Sequence, residues 1–163
     1  MPKHQMRRND KIITKQVELE QVIQAAQYVV LGIQTGAEPY LLPIDFAYAD
    51  GYVYFHCASE GRKLELLAEN NRLSLLFVNY GGLTHPDNPT QACQFSTKYK
   101  SVMAQGVCQA IEPQAEKEYA MRLIIAKLGI EQLPIPEAAL AKTCLYKIKI
   151  QALSGKQSPK PNN

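Results

Sequence analysis

The 163-residue sequence has no apolar run that approaches the ~20 residues of a membrane-spanning helix. Its first ten residues are basic, but no apolar stretch follows them, so we expect neither a signal peptide nor a membrane anchor. The net charge of +3 is too small to indicate a nucleic-acid partner by itself. These absences favour a globular, cytoplasmic protein, and a chain of this length is expected to form one domain with an adequate core.

Paired cysteines and metal-binding spacings are also missing. None of the four cysteines belongs to a C-x-x-C pair, so we expect reduced, partly buried thiols. The three histidines lie far apart and show no zinc-binding spacing. The chain contains no G-x-G-x-x-G motif, no P-loop and no plausible Ser-His-Asp order, so no catalytic constellation is evident and no metal site is expected.

Basic residues are concentrated near the two ends of the chain, and we interpret both clusters as solvated arms. A nucleic-acid-binding barrel that uses these arms is the alternative, and its test is binding that weakens steeply with salt. Few aromatic residues accompany the basic segments, so this alternative is not favoured.

Short β-rich segments separated by turns make up much of the sequence. Asp50-Gly51 is the strongest local signal, because an Asp-Gly pair between two apolar, aromatic runs predicts a type I′ hairpin turn. The strands that it joins are predicted at Tyr40–Ala49 and Tyr52–Cys57, after a break at residues 36–39. Further strands are predicted at Tyr28–Thr35, Arg72–Tyr80, Cys93–Ile111 (one long or bulged strand, or two short ones) and Thr143–Ile150, with a loop at residues 81–92.

Apolar spacing predicts three helices, at Lys15–Gln27 with Thr14 as its N-cap, at Gly61–Glu69 with Ser59 as its N-cap, and at Gln114–Leu128 before Gly129. Residues 134–142 predict a turn with at most one short helical piece. The polar residues 154–163 are expected to form a flexible tail behind a domain of residues 1–153. Hairpin-linked strands with a few covering helices indicate a mainly β protein, a closed or split barrel, rather than a parallel α/β sheet.

The most informative stretch runs from Tyr54 to Lys63, where a strand ends, a short polar loop follows and a helix begins. Free N–H groups at a helix start attract anions, and Arg62 and Lys63 add a bidentate fork and a point charge. Together with His56 and Ser59 they suit a terminal phosphate. The alternative is a solvent-facing Arg-Lys pair on a capped helix.

Two further stretches have a chemical interpretation beside a structural one. Residues 95–101 alternate lysine, tyrosine and hydroxyl side chains, which could face an anionic ligand or the edge of an electron-poor ring. The structural alternative is a surface strand whose outward lysines protect a sheet edge from pairing. Pro43, inside the strand predicted at Tyr40–Ala49, implies an edge, a bulge or a bend where backbone could approach a flat ligand.

A resemblance rests on the order and spacing of motifs across residues 6–156. They are Met6-Arg-Arg-Asn-Asp10, Pro39-Tyr40, Pro43-Ile-Asp-Phe46, Asp50-Gly51, Tyr54-Phe-His56, Glu60-Gly-Arg-Lys63, Lys98-Tyr-Lys-Ser-Val102 and Leu153-Ser-Gly-Lys156. In this order they resemble the pyridoxamine 5′-phosphate oxidase-like split-barrel flavoproteins, and within them the branch with the nitroimidazole-resistance (Nim-type) proteins.

The resemblance implies a six-stranded, Greek-key split barrel that forms a homodimer with two flavin mononucleotide (FMN) sites at its interface. It implies that the backbone of Leu42, Pro43, Ile44 and Asp45 lies against the isoalloxazine ring. It implies phosphate contacts from the strand end and the following helix, and flavin contacts from the later Lys-Tyr-Lys-Ser segment. The residues in these two groups are His56, Cys57, Ala58, Arg62 and Lys63 for the phosphate, and Lys100 and Ser101 for the flavin.

The expected function is that of an FMN-dependent oxidoreductase acting on nitro compounds, quinones or other small electrophiles. A non-catalytic flavin-binding protein and a haem-handling protein of the same fold are the alternatives, and some relatives bind deazaflavin F420. Some relatives carry a histidine where this chain has Arg62. The substrate-phosphate residues of pyridoxamine 5′-phosphate oxidases themselves are not recognised, so vitamin B6 oxidation is not favoured.

Overall fold

A computed structural model describes residues 7–36, 38–130 and 132–159, and its main feature is one eight-stranded sheet with antiparallel pairing. The strands are β1 Ile12–Ile13, β2 Val29–Thr35, β3 Glu38–Ile44, β4 Ala47–Ala49, β5 Tyr52–Cys57, β6 Arg72–Thr84, β7 Ser96–Ala110 and β8 Cys144–Ser158. Their hydrogen-bonded order is β3-β2-β6-β7-β8-β5-β4, and β1 pairs with β8. Within the described residues the path does not close, because β3 and β4 do not pair. The predicted mainly β fold is confirmed, with eight strands in place of six.

Among the described residues, four α-helices accompany the sheet: α1 Gln16–Ala25, α2 Arg62–Glu69, α3 Gln114–Lys127 and α4 Glu137–Lys142. The three predicted helices are confirmed, with ends that move by up to two residues. The expected capping by Thr14 and Ser59 is wrong, because the N-cap residues are Lys15 and Gly61 and neither makes a side-chain capping bond. Gly61 has φ 121°, a conformation that a side chain disfavours, so the start of α2 depends on glycine.

The predicted hairpin turn at Asp50-Gly51 is confirmed by its backbone angles. Asp50 has φ 52° and Gly51 has φ 79°, and a type I′ turn requires positive φ at both central residues. The flanking residues Ala49 and Tyr52 are paired, so the turn joins β4 directly to β5.

The single strand predicted at Tyr40–Ala49 is wrong, because the structure has two strands there. β3 pairs with β2 and β4 pairs with β5, so the chain changes partner at Asp45 and Phe46. Phe46 is 1% exposed at this change of direction. β3 also begins at Glu38, two residues before the predicted start, so the predicted break at residues 36–39 is too long.

The flexible tail predicted from residue 154 is wrong for residues 154–158, which complete β8. β1 pairs with this end of the strand, through Ile12 opposite Lys156 and Ile13 opposite Gly155. A Cβ atom on Gly155 would collide with the side chain of Leu19 and lie 3.1 Å from Ile13 Cβ, so the missing side chain permits the close packing. Strand pairing thus orders a segment whose composition predicts disorder. Residues 160–163 lie outside the described residues.

The described chain divides into two compact units. The terminal unit comprises residues 7–26, 77–103 and 153–159, and the central unit comprises residues 27–76 and 104–152. A buried cluster in the central unit brings α3 and α4 against β4, β5 and β8. Its members are Ala47, Tyr54, Ile111, Ala120, Ile124, Leu140 and Leu145.

Gly106 on β7 gives a stability prediction for the central unit. A Cβ atom there would stand 2.5 Å from the backbone oxygen of Lys149 and 2.6 Å from Ile148 Cγ2, and backbone cannot move aside easily. Gly106→Ala is therefore expected to lower the free energy of unfolding by about 1–3 kcal/mol in urea titrations. Gly32→Ala is the matched control, because its nearest neighbour is a flexible methyl group of Leu41 at 3.3 Å. Equal losses in the two variants would contradict the steric argument.

Candidate functional site

The first predicted site segment lies on β3, at one end of the strand order. Leu42, Pro43 and Ile44 pair with β2 through Leu31, Val30 and Val29. No described strand pairs with the other side of β3, so Pro43 lies on an edge strand, one of the positions that its missing N–H allows. Asp45 follows the strand and is exposed. The unpaired edge leaves backbone groups available to a flat ligand.

The second segment combines the end of β5, the loop of residues 58–61 and the start of α2. His56 and Ala58 are exposed and Cys57 is half-buried. The first intrahelical bond runs from Leu64 N to the Gly61 carbonyl oxygen, at 2.9 Å. The N–H groups of Arg62 and Lys63 precede this bond and have no intrahelical acceptor.

Aromatic rings hold both basic side chains of the second segment. Arg62 Cζ lies 5.4 Å from the centroid of the Tyr40 ring on β3, and Lys63 Nζ lies 5.6 Å from the centroid of the Phe55 ring on β5. Cation–π contacts of this kind restrain a cation without neutralising it. Arg62 therefore links the first two predicted segments within the central unit. Sequence reasoning did not select Tyr40 or Phe55 as site residues, since cation–π contacts depend on tertiary packing.

A half-buried lysine contacts Phe46, the residue that follows the first segment. Lys127, in the last turn of α3, places its Nζ 3.3 Å from the centroid of the Phe46 ring. Its ammonium is buried and has no hydrogen-bond partner among the described residues. Burial lowers the pKa of Lys127 to about 8, and the Asp45 carboxylate opposes the shift. No sequence signal marks this lysine, because its burial is decided by how α3 packs.

Lys127 gives a prediction about pH. Because the pKa of Lys127 is lowered in the folded protein, the unfolded chain binds more protons between about pH 8 and 10.5. The contribution of Lys127 to the free energy of unfolding therefore rises with pH across that window. Lys127→Met is expected to raise Tm by about 2 °C at pH 7, with a gain that shrinks above pH 8. Thermal melts from pH 7 to 9.5 measure it, and Lys142→Met, which alters an exposed lysine, is the control. A gain that does not change with pH would contradict this account.

The third predicted segment, residues 95–101, contributes to the lining of a cavity of about 400 Å³ in the terminal unit. Lys98 and Lys100 are exposed on β7 and face the cavity, whereas the Ser101 hydroxyl makes a long hydrogen bond to the Lys156 backbone oxygen (3.5 Å). The two ammonium groups and the neighbouring tyrosine and amide groups suit an anionic or strongly polar ligand. The lining residues are Asn79, Tyr80, Gly81, Lys98, Tyr99, Lys100, Gln157, Ser158 and Pro159.

Two cavity residues were missed because the sequence predicts a flexible tail where they lie. Gln157 and Ser158 are 8% and 7% exposed, and Lys11 Nζ donates a hydrogen bond to Ser158 Oγ at 3.0 Å. Both residues lie at the end of β8. Their ordering gives the cavity a polar wall.

No described group of three or more His, Cys, Asp or Glu side chains could hold a metal ion. His85 Nδ1 lies 2.7 Å from the Pro86 backbone oxygen and its ring stands 4.9 Å from the Phe95 ring. None of the described helices is long and apolar enough to cross a membrane.

Comparison with known proteins decides the family. The model of the family described as "Pyridoxamine 5′-phosphate oxidase" matches residues 15–157. The chain belongs to the pyridoxamine 5′-phosphate oxidase family. The matched range includes every site residue predicted from the sequence. Comparison with curated proteins finds no significant match.

Solved structures share the fold of this pyridoxamine 5′-phosphate oxidase family member. A candidate 5-nitroimidazole antibiotic resistance protein from Bacteroides thetaiotaomicron VPI-5482 is 26% identical, covers 90% of this chain and 86% of its own, and has a TM-score of 0.78. The flavocytochrome Anf3 from Azotobacter vinelandii is 23% identical over 98% of this chain and 76% of its own, with a TM-score of 0.80. The FAD and haem binding protein from Mycobacterium smegmatis is 18% identical over 94% and 76%, with a TM-score of 0.78. The resemblance to the family and the split-barrel fold are thereby confirmed.

Proposed function

We propose that this protein is a flavoprotein that binds FMN and acts as an oxidoreductase on small electrophiles. The observation that carries the proposal is the start of α2. The backbone N–H groups of Arg62 and Lys63 have no intrahelical acceptors. Their positively charged side chains are restrained by the Tyr40 and Phe55 rings. A terminal phosphate fits this donor set, because helix starts and arginine forks both favour phosphate oxygens.

The descriptions of structural neighbours support a flavin as the cofactor of this protein. One neighbour is a flavocytochrome, one is an FAD-binding protein from Mesorhizobium loti and one is an FAD and haem binding protein. Flavin is common to all three descriptions. We favour FMN over FAD for this chain because FMN ends in the phosphate that the start of α2 suits.

The ring of the flavin is proposed to lie along the β3 edge, at residues 42–45, and Lys100, of the same chain or of the second copy in the dimer, is proposed to contact it. Bound FMN supplies two-electron redox chemistry that protein side chains lack. The backbone of the β3 edge orients the ring, and Arg62 and Lys63 hold the phosphate. The Lys100 ammonium stabilises negative charge on the ring, so it favours the reduced cofactor.

A homodimer is part of the proposal. In the terminal unit, Val78 and Tyr80 on β6 are 50% and 70% exposed, and Met103 on β7 is 59% exposed. Large apolar side chains exposed in one region of a sheet favour burial against a partner, and a second copy of the chain is the commonest partner. Light scattering of the purified protein is expected to give twice the 18.2 kDa chain mass. A monomeric mass in the flavin-loaded protein would contradict this part.

The visible spectrum of the freshly purified protein, with the released cofactor identified by mass, tests the function. A flavin spectrum with the mass of FMN is the expected result. A Soret band would replace the proposal with the haem-handling alternative, and an F420 or FAD mass would replace FMN. A colourless protein that does not take up added FMN would overturn the proposal.

Turnover is tested next on the flavin-loaded protein. NAD(P)H with a nitroaromatic compound or a quinone is expected to show oxidation of the nicotinamide that depends on the acceptor. Nitro compounds are included because the Bacteroides neighbour is described by 5-nitroimidazole resistance. A protein that binds FMN but oxidises no donor with either acceptor would be the non-catalytic flavin-binding protein.

A further inference from the structure

Two half-buried cysteines lie opposite each other in the central unit. Cys57 is the last residue of β5 and Cys144 is the first residue of β8, and the two are direct partners in the antiparallel register. Directly opposed residues of an antiparallel pair point to the same face of the sheet. The two thiols therefore stand side by side, 87 positions apart in the sequence (144 − 57).

The Cα spacing at this pair lies within the range of a disulfide. Ile150 N donates to the backbone oxygen of Gly51, so these opposed residues form a hydrogen-bonded pair. The pattern alternates along the ladder, and Cys57 lies six residues from Gly51, so Cys57 and Cys144 are also a hydrogen-bonded pair. Their Cα atoms are then about 5.5 Å apart, within the ~4.4–6.8 Å that disulfides span. Their Cβ atoms must move closer to form the bond, and such strained disulfides are the more easily reduced.

The surroundings distinguish this pair from the other two cysteines. Burial raises the pKa of the Cys57 thiol, the Lys63 ammonium opposes that shift and Cys144 adds to it. Burial, with a smaller contribution from Cys57, raises the pKa of Cys108 to about 12, and Cys108 is only 4% exposed, so a dissolved oxidant reaches it less readily than the half-buried pair. Cys93 is exposed but belongs to the terminal unit, in a short 3-10 helix.

We propose that Cys57 and Cys144 form a reversible disulfide when the protein meets a peroxide. The Cys57 thiol attacks one oxygen of hydrogen peroxide, the O–O bond breaks, and a sulfenic acid and one water are formed. The Cys144 thiol then attacks the sulfenic sulfur, and the S–O bond breaks with release of a second water. Two thiols and one peroxide thus yield one disulfide and two waters, and a dithiol reverses the reaction by exchange.

The disulfide would tie the end of β5 to the start of β8. Loop 58–61 leaves β5 immediately after Cys57, so the bond would restrain the point from which this loop departs. The pair needs no bound cofactor, so this inference does not rest on the proposed function.

Peptide mapping of the oxidised full-length protein tests the proposal. Native protein is treated with a small molar excess of hydrogen peroxide, blocked with N-ethylmaleimide, digested without reduction and analysed by mass spectrometry. The expected result is a cross-link between the Cys57 and Cys144 peptides within one chain, the loss of two free thiols, and full reversal by dithiothreitol.

Two variants sharpen the test. Cys93→Ser is the matched control and is expected to keep the cross-link, whereas Cys144→Ser is expected to lose it. The wild-type map decides by itself if the second variant does not fold. Four free thiols after treatment, a Cys57 sulfinic acid without a cross-link, or a cross-link through Cys93 or Cys108 instead would each overturn the proposal.

Discussion

Replacing both Arg62 and Lys63 with alanine is expected to release FMN from a protein that stays folded. Each side chain is proposed to make a charge-assisted hydrogen bond to the phosphate, worth about 1.5–3 kcal/mol. Loss of both is expected to weaken FMN binding by roughly 100-fold or more. The flavin-to-protein ratio after desalting and a fluorescence titration with FMN measure the effect, and a thermal melt checks the fold.

Riboflavin, which lacks the phosphate, makes this test specific. The wild-type protein is expected to bind FMN much more tightly than riboflavin, and the double variant is expected to bind the two almost equally. Arg122→Ala with Lys142→Ala removes the same charge from exposed positions on α3 and α4, so it is the matched control. Unchanged flavin content in the Arg62 and Lys63 double variant would remove the start of α2 from the site.

Lys100→Met is expected to lower the reduction potential of the bound flavin. A positive charge near the ring stabilises the negative charge that reduction brings, so its loss favours the oxidised cofactor. The expected shift is roughly 30–60 mV for a partly solvated charge. A redox titration against a reference dye measures it at fixed pH.

Two further lysine variants test whether the effect is specific to Lys100. Lys98 also lines the cavity, so Lys98→Met shows which of the two ammonium groups is nearer the ring. Lys142→Met, on α4, is expected to leave the potential unchanged. An unaltered potential in Lys100→Met would remove Lys100 from the proposed ring contacts.

Local sequence patterns predicted the elements whose geometry depends on a few neighbouring residues. The hairpin at Asp50-Gly51 was predictable because only residues tolerant of positive φ fit its two central positions. β5 was predicted with its bounds, and α3 ends near Gly129 as expected, where φ is 75°. The basic start of α2 was likewise visible in the sequence, because a helix start and its flanking charges are local.

Errors occur where one segment depends on a distant one. The end of β8 was predicted to be flexible because its composition is polar, but β1 pairs with it and Gly155 admits the packing of Ile13 and Leu19. The break between β3 and β4 was missed because the two strands have different partners, and strand partners are not encoded in a local pattern.

The sequence by itself determined the mainly β class, the hairpin, the helices and the basic pair at Arg62 and Lys63, because backbone preferences and apolar periodicity act over a few residues. The tertiary structure alone decided that Tyr40 contacts Arg62, that the Lys127 ammonium is buried against the Phe46 ring and that Cys57 is opposite Cys144. These contacts join residues 22 to 87 positions apart (62 − 40 and 144 − 57). Strand register and helix packing set such contacts, and both result from burying the core as a whole.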